Sequence, residues 1–185
     1  LSIAEKDLKA DLHRDLAYLG ETIGNRNLAA RNELQQAAEW LAAAFAATGY
    51  EVQHQAYDVS GIEVENLSVE LRGTTKPEEI IVVGGHYDSV TGCPGANDNG
   101  SGTIALLEIA QQLTKFSTKN AIRFAWWSAE EVGLVGSTKY VESLSFSSWS
   151  VLFLGAPVLM AYGLGEGVSP IFYPALLVFF VPFVL

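Results

Sequence analysis

Cysteine is nearly absent from this chain: Cys93 stands alone. A single thiol excludes an internal disulfide framework and any cysteine-rich zinc knuckle. Positive charge is also scarce, with 11 Lys+Arg against 21 Asp+Glu and a formal net charge of -10. That balance argues against a nucleic-acid partner, whose phosphates demand a basic face. A further shortage is positional. No aspartate follows Asp98, no histidine follows His86 and no lysine follows Lys139, and beyond Glu142 the only charged side chain is Glu166.

Hydrophobic residues make up 49% of the 185 and charged residues 17%, which excludes wholesale disorder. The length favours one domain with a sizeable core. The charge census divides the chain into residues 1–142, which read as a folded domain, and residues 143–185, which read as an apolar tail. Neither part contains an internal repeat.

In the first part, Leu8, Leu12, Leu16, Leu19 and Ile23 recur at spacings of four and three, one face of an amphipathic helix. Leu34, Ala38, Leu41 and Phe45 mark a second helix, stopped at Gly49. Val52 to Val59 and Val64 to Leu71 read as strands; in the latter Leu67, Val69 and Leu71 share a face. Ile80-Ile81-Val82-Val83 is short and β-branched, and reads as a buried strand. Thr103 to Leu113 has the broad apolar arc of a helix lying on a sheet, and Ala121 to Trp127 reads as another buried strand. Strand, loop, helix and strand in that order predict a βαβ unit in an α/β sheet.

The polar residues of interest follow the two apolar strands, where open α/β sheets bind ligands. His86 and Asp88 are two apart, so in extended chain both point the same way, and a carboxylate can fix the tautomer of a metal-bound imidazole. Gly95-Ala96-Asn97-Asp98-Asn99-Gly100-Ser101-Gly102 gives a tight backbone path that presents Asp98 just before a helix. The absence of a following lysine excludes a phosphate loop. Glu130 and Glu131 follow Trp126-Trp127. In extended chain such neighbours point to opposite sides, so one suits a metal and the other a general base. Read singly, the three fragments are also an ordinary His–Asp hydrogen bond, a capped turn and an acidic helix start. Together they supply imidazole and carboxylate donors suited to zinc.

Core packing is the expectation for Trp126 and Trp127. Tyr87 should turn away from His86, Cys93 should be a bystander, and His13 and His54 should be surface groups.

Gly85-His86-Tyr87-Asp88-Ser89, the Asp98 loop, and Ala129-Glu130-Glu131-Val132-Gly133-Leu134-Val135-Gly136-Ser137 resemble the M28 family of zinc metallopeptidases, the leucyl-type aminopeptidases. The likeness runs from roughly Leu8 to Leu144. It implies a three-layer α/β/α sandwich with a mixed central sheet, two zinc ions, and peptide substrates that lose their N-terminal residue. It implies His86 on one zinc, Asp98 bridging both, Glu131 on the other, Glu130 as general base and Asp88 orienting His86. It also implies a cis peptide between Asp98 and Asn99. The family supplies an Asp and a His after the glutamate pair; neither residue type occurs there in this chain, and nothing in the spacing of Glu142 or Glu166 makes either a substitute.

The sandwich is therefore expected to be incomplete, as in a truncated second half, with its later core strands missing, a sheet edge unpaired and an apolar tail. Within residues 149–185, a candidate membrane contact, the apolar runs Val151 to Leu154 with Val158 to Met160, and Ile171 to Leu185, are near the ~20-residue length of a membrane span but contain or adjoin Pro157, Pro170, Pro174 and Pro182. Membrane segments, non-native read-through and buried core remain open for the tail. Two functions follow as alternatives: a zinc aminopeptidase, or a non-catalytic, membrane-tethered or truncated protein on the same fold. Aminoacyl cyclase and carboxypeptidase relatives are a third. A secreted or membrane-associated location is expected over a cytoplasmic one.

Overall fold

A computed structural model of the chain describes residues 2–144 and the backbone of 150–153. The first helix, α1 (Ile3–Ala17), opens on a capping box: the Glu5 amide donates to Ser2 Oγ and the Ser2 amide to the Glu5 carboxylate. Its apolar face runs on through a wide π turn, Tyr18–Ile23, where Leu19 and Ile23 become buried. The second helix, α2 (Arg31–Ala46), buries the predicted Leu34, Ala38, Leu41 and Phe45, and the chain turns away at Gly49 with φ +89°.

The strands are β1 (Gln53–Val59), β2 (Ile62–Leu71), β3 (Lys76–His86), β4 (Asn120–Trp127) and β5 (Ser150–Phe153), with helices α3 (Ser101–Leu113) and α4 (Val135–Ser143) between them. The sheet order is β1-β2-β4-β3-β5. The β1–β2 and β2–β4 pairs are antiparallel, while β3–β4 and β3–β5 are parallel, so the sheet is mixed. The predicted βαβ unit is β3–α3–β4.

Alternation along β4 sorts the two faces. Phe124 and Trp126 enter the larger core with α2 and α3, and the Phe45 ring packs tilted against Trp126 with centroids 4.3 Å apart. Ala125 and Trp127 face the other way, onto Val82 and Tyr140 of α4. Helices thus lie on both faces, giving three layers.

One expectation is corrected here. The strands after Leu144 are not all missing: Ser150–Phe153 runs parallel to β3 from Ile81 to Gly84. This β-branched part of β3 is therefore interior to the sheet rather than an unpaired edge. The remaining tail, including the membrane-span, read-through and core readings of residues 154–185 and Glu166, lies outside the described residues. Among the described residues no helix is long and apolar enough to cross a membrane.

Candidate metal centre

Parallel β3 and β4 place their C-terminal ends side by side, with His86 in register with Trp127. His86 is buried, and its carbonyl accepts from Thr103 Oγ1 at 2.7 Å, which ties the strand end to α3. Its Nδ1 lies 3.2 Å from the Asp88 main-chain oxygen and 3.4 Å from Asp88 Oδ1. Nδ1 thus faces the oxygens of Asp88, and Nε2 faces the carboxylates. Nε2 is 3.1 Å from Asp98 Oδ1 and 3.8 Å from Glu130 Oε2.

Asp98 reaches that position through an irregular loop. Gly95 takes φ +56°, the Asp98–Asn99 peptide is cis, and the Gly100 amide donates back to the Gly95 carbonyl at 2.9 Å. The Asp98 side chain remains 63% exposed, whereas those of His86 and Asp88 are 5% and 3% exposed.

The glutamate pair departs from the extended-chain expectation. Ala129 adopts φ +55°, and the Glu130 carbonyl accepts from both Gly133 and Leu134 amides, closing a turn immediately after β4. Residues in a tight turn do not alternate, so the two carboxylates converge instead of diverging. His86, Glu130 and Glu131 each offer a ligand atom within 4.8 Å of the others. Asp88 links the halves, because its Oδ1 accepts from the Glu130 amide at 3.2 Å and its Oδ2 from the Glu131 amide at 3.3 Å.

Burial pushes the Glu130 carboxyl up to about 7, with the charges of Asp88, Glu131 and Asp98 adding to the effect and His86 opposing it. Glu131 is raised for the same leading reason, with Asp98 next. Burial alone would lower His86, but its contacts with Asp88 and the charges of Asp88, Glu130 and Asp98 outweigh it, and the imidazole is raised. An imidazole with several convergent carboxylates fits zinc by donor chemistry.

Two residues that hold this site escaped sequence reading. Buried Asn66 on β2 accepts from the Ser128 amide and the Tyr57 hydroxyl and donates to Gln55 and the Gly136 carbonyl, pinning both ends of the glutamate turn. Arg26 is 0% exposed beneath the Asp98 loop. Neither carries a spacing signal. The other expectations hold: Trp126 and Trp127 are core, Tyr87 is buried away from the site with its hydroxyl on the Glu65 carbonyl, and His13, His54 and Cys93 are exposed. Glu142 pairs with Lys139 on α4 at 2.9 Å, apart from the cluster.

The model of Peptidase family M28 matches residues 66–154, and that of a Putative ATP-binding cassette matches residues 131–185, most of which lie outside the described residues. Leucine aminopeptidase 2 of Arthroderma otae is 58% identical over 65 residues, 35% of this chain and 13% of that protein. The chain thus spans a small fraction of the curated relatives it matches. Among solved structures, LapB from Legionella pneumophila is 26% identical with a TM-score of 0.66, covering 79% of this chain and 42% of its own. BSAP, a zinc aminopeptidase from Bacillus subtilis, superposes with a TM-score of 0.68 at 18% identity, over 74% of this chain and 65% of its own, a likeness of fold. The stretch that carries His86, Asp98, Glu130 and Glu131, residues 66–154, is thus the part of the chain that matches peptidase family M28.

Proposed function

We propose that this chain carries the zinc centre of a peptidase that hydrolyses peptide bonds and releases N-terminal residues from peptides or proteins. His86, Asp98 and Glu131 would hold zinc, two ions sharing Asp98, and Glu130 would serve as general base. The observation that supports this reading is convergence. Groups 44 positions apart in sequence, His86 and Glu130, meet with Glu131 inside 4.8 Å at one rim of the sheet.

Zinc bound there supplies a Lewis acid that polarises a carbonyl and lowers the pKa of water. The chain does the rest. Asp88 fixes the imidazole tautomer and the glutamate turn at once. Glu130, poised near neutrality, takes the proton of the attacking water and returns it to the departing amine.

Replacing Glu130 with Gln should leave zinc content unchanged by mass spectrometry. Hydrolysis of an aminoacyl anilide should fall about 10²–10⁴-fold. Full activity in that variant would remove Glu130 from the role.

A second reading rests on the missing Asp and His after the pair, since a catalytic zinc ordinarily has three protein ligands and a water. On that reading the chain keeps the fold without the reaction. About two zinc ions per chain with cleavage supports the first reading, and no zinc with no cleavage supports the second. Product analysis separates an aminopeptidase from a cyclase or carboxypeptidase.

A further inference from the structure

The proposed chemistry leaves one buried cation unused. Arg26 lies between the Tyr18–Ile23 turn and α2, fully buried, and none of its hydrogen bonds goes to a carboxylate. A guanidinium in such a place is costly unless its donors are satisfied. Here they are spent on main-chain oxygens. Nε donates to the Tyr87 carbonyl at 2.5 Å, Nη1 to Pro94 at 2.5 Å and Gly24 at 3.0 Å, and Nη2 to Gly95 at 2.9 Å. The Arg26 backbone adds a two-way clasp on Ser89: its amide donates to Ser89 Oγ at 3.0 Å, and its carbonyl accepts from the Ser89 amide at 2.8 Å.

Apart from Gly24 and a long 3.5 Å bond from Nη1 to the Leu19 carbonyl, the contacts of Arg26 fall on the strip from Tyr87 to Gly95. That strip leaves His86, contains Asp88 and enters the loop that presents Asp98. The loop has the shape of a lid over the guanidinium. A methyl group added at Gly95 would sit 3.3 Å from Nη2, and one added at Gly100 would sit 3.4 Å from it. The Gly95 carbonyl accepts from Nη2 and from the Gly100 amide together, so one oxygen joins the arginine to the base of the Asp98 loop. Burial pushes the Arg26 guanidinium down to about 10, and the through-space charge of Asp88 opposes that shift.

We infer that Arg26 is a positioning residue for the metal centre: it sets the course of the Tyr87–Gly95 strip and thereby the meeting of Asp98 with His86, before any ion arrives. The inference rests on the zinc reading above. Lysine cannot replace the fork, because a single ammonium cannot span the Tyr87, Pro94 and Gly95 carbonyls at once.

The test is zinc titration by calorimetry of the full chain as wild type, Arg26→Lys and Arg26→Gln, each checked by circular dichroism. Both variants should keep the wild-type spectrum and bind zinc about 10–100-fold more weakly, the usual consequence of losing an outer support of a metal site. Cobalt(II) in place of zinc gives a second readout, with weakened and shifted absorption bands in the variants. Should the lysine variant fail to fold, Arg26→Gln carries the test, since it removes the buried charge while keeping two donors. A merely structural arginine lowers the melting temperature and leaves the zinc dissociation constant unchanged. Folded variants with wild-type zinc affinity would overturn the inference and leave the zinc reading standing. A wild-type chain that takes up no zinc would overturn both.

Discussion

Asn66 illustrates what single residues contribute to this site. Its amide makes four hydrogen bonds, two at each end, which exhausts its capacity. Asn66→Ala strands the Ser128 amide and the Gly136 carbonyl in the interior, each at about 1–3 kcal/mol. The variant should lose roughly 2–4 kcal/mol in urea unfolding, and a loss below about 1 kcal/mol would show that the network is slack. Asn66, like Arg26, was invisible beforehand for a physical reason. Polar residues are buried when distant backbone groups need partners, and no local pattern announces that need. His86, Asp88, Asp98 and the glutamate pair were legible because each follows an apolar strand or opens a helix, where local pattern and position coincide. The direction of the glutamates was not legible, because nothing in Ala129 signals a left-handed turn.

At the scale of elements, the buried strands and helices were readable from periodicity, and their extensions were not. The β3 strand begins at Lys76 rather than near Ile80, because a register irregularity lets polar residues join the ladder opposite Asn120. The α1 helix passes into a π turn where Leu19 and Ile23 reach the core. β5 is only four residues, too short to carry a period, so only its pairing with β3 reveals it. Position in the sheet also orders local stability. Interior β3 and β4, with Val82, Phe124 and Ala125 buried, should exchange amide hydrogens most slowly, and edge β1, exposed at Gln53 and His54, should exchange fastest among the long strands. Hydrogen-exchange mass spectrometry reads this ordering directly, and equal protection of β1 and β4 would contradict it.

For the molecule as a whole, the metal-free site is a proton sink. Glu130, with its carboxyl at about 7, and Glu131 hold protons more tightly than free carboxylates, and His86 holds its proton more tightly than free imidazole. The folded chain therefore binds more protons than the unfolded chain from about pH 4.5 to somewhat above 7, and its stability falls as pH rises through that window. Zinc needs deprotonated ligands and reverses the slope. Thermal melts in chelator should show a falling midpoint between about pH 5 and 8, flattened in part by Glu130→Gln. Added zinc should raise the midpoint most at the alkaline end. A midpoint that rises with pH in chelator would disprove the sink. The unequal exposure of the ligands has a kinetic side as well. With the imidazole sealed and Asp98 open to water, the proposed zinc reading would make that outermost carboxylate the doorway of the centre, and changes at Asp98 should then alter how fast metal enters and leaves more than how the interior is built.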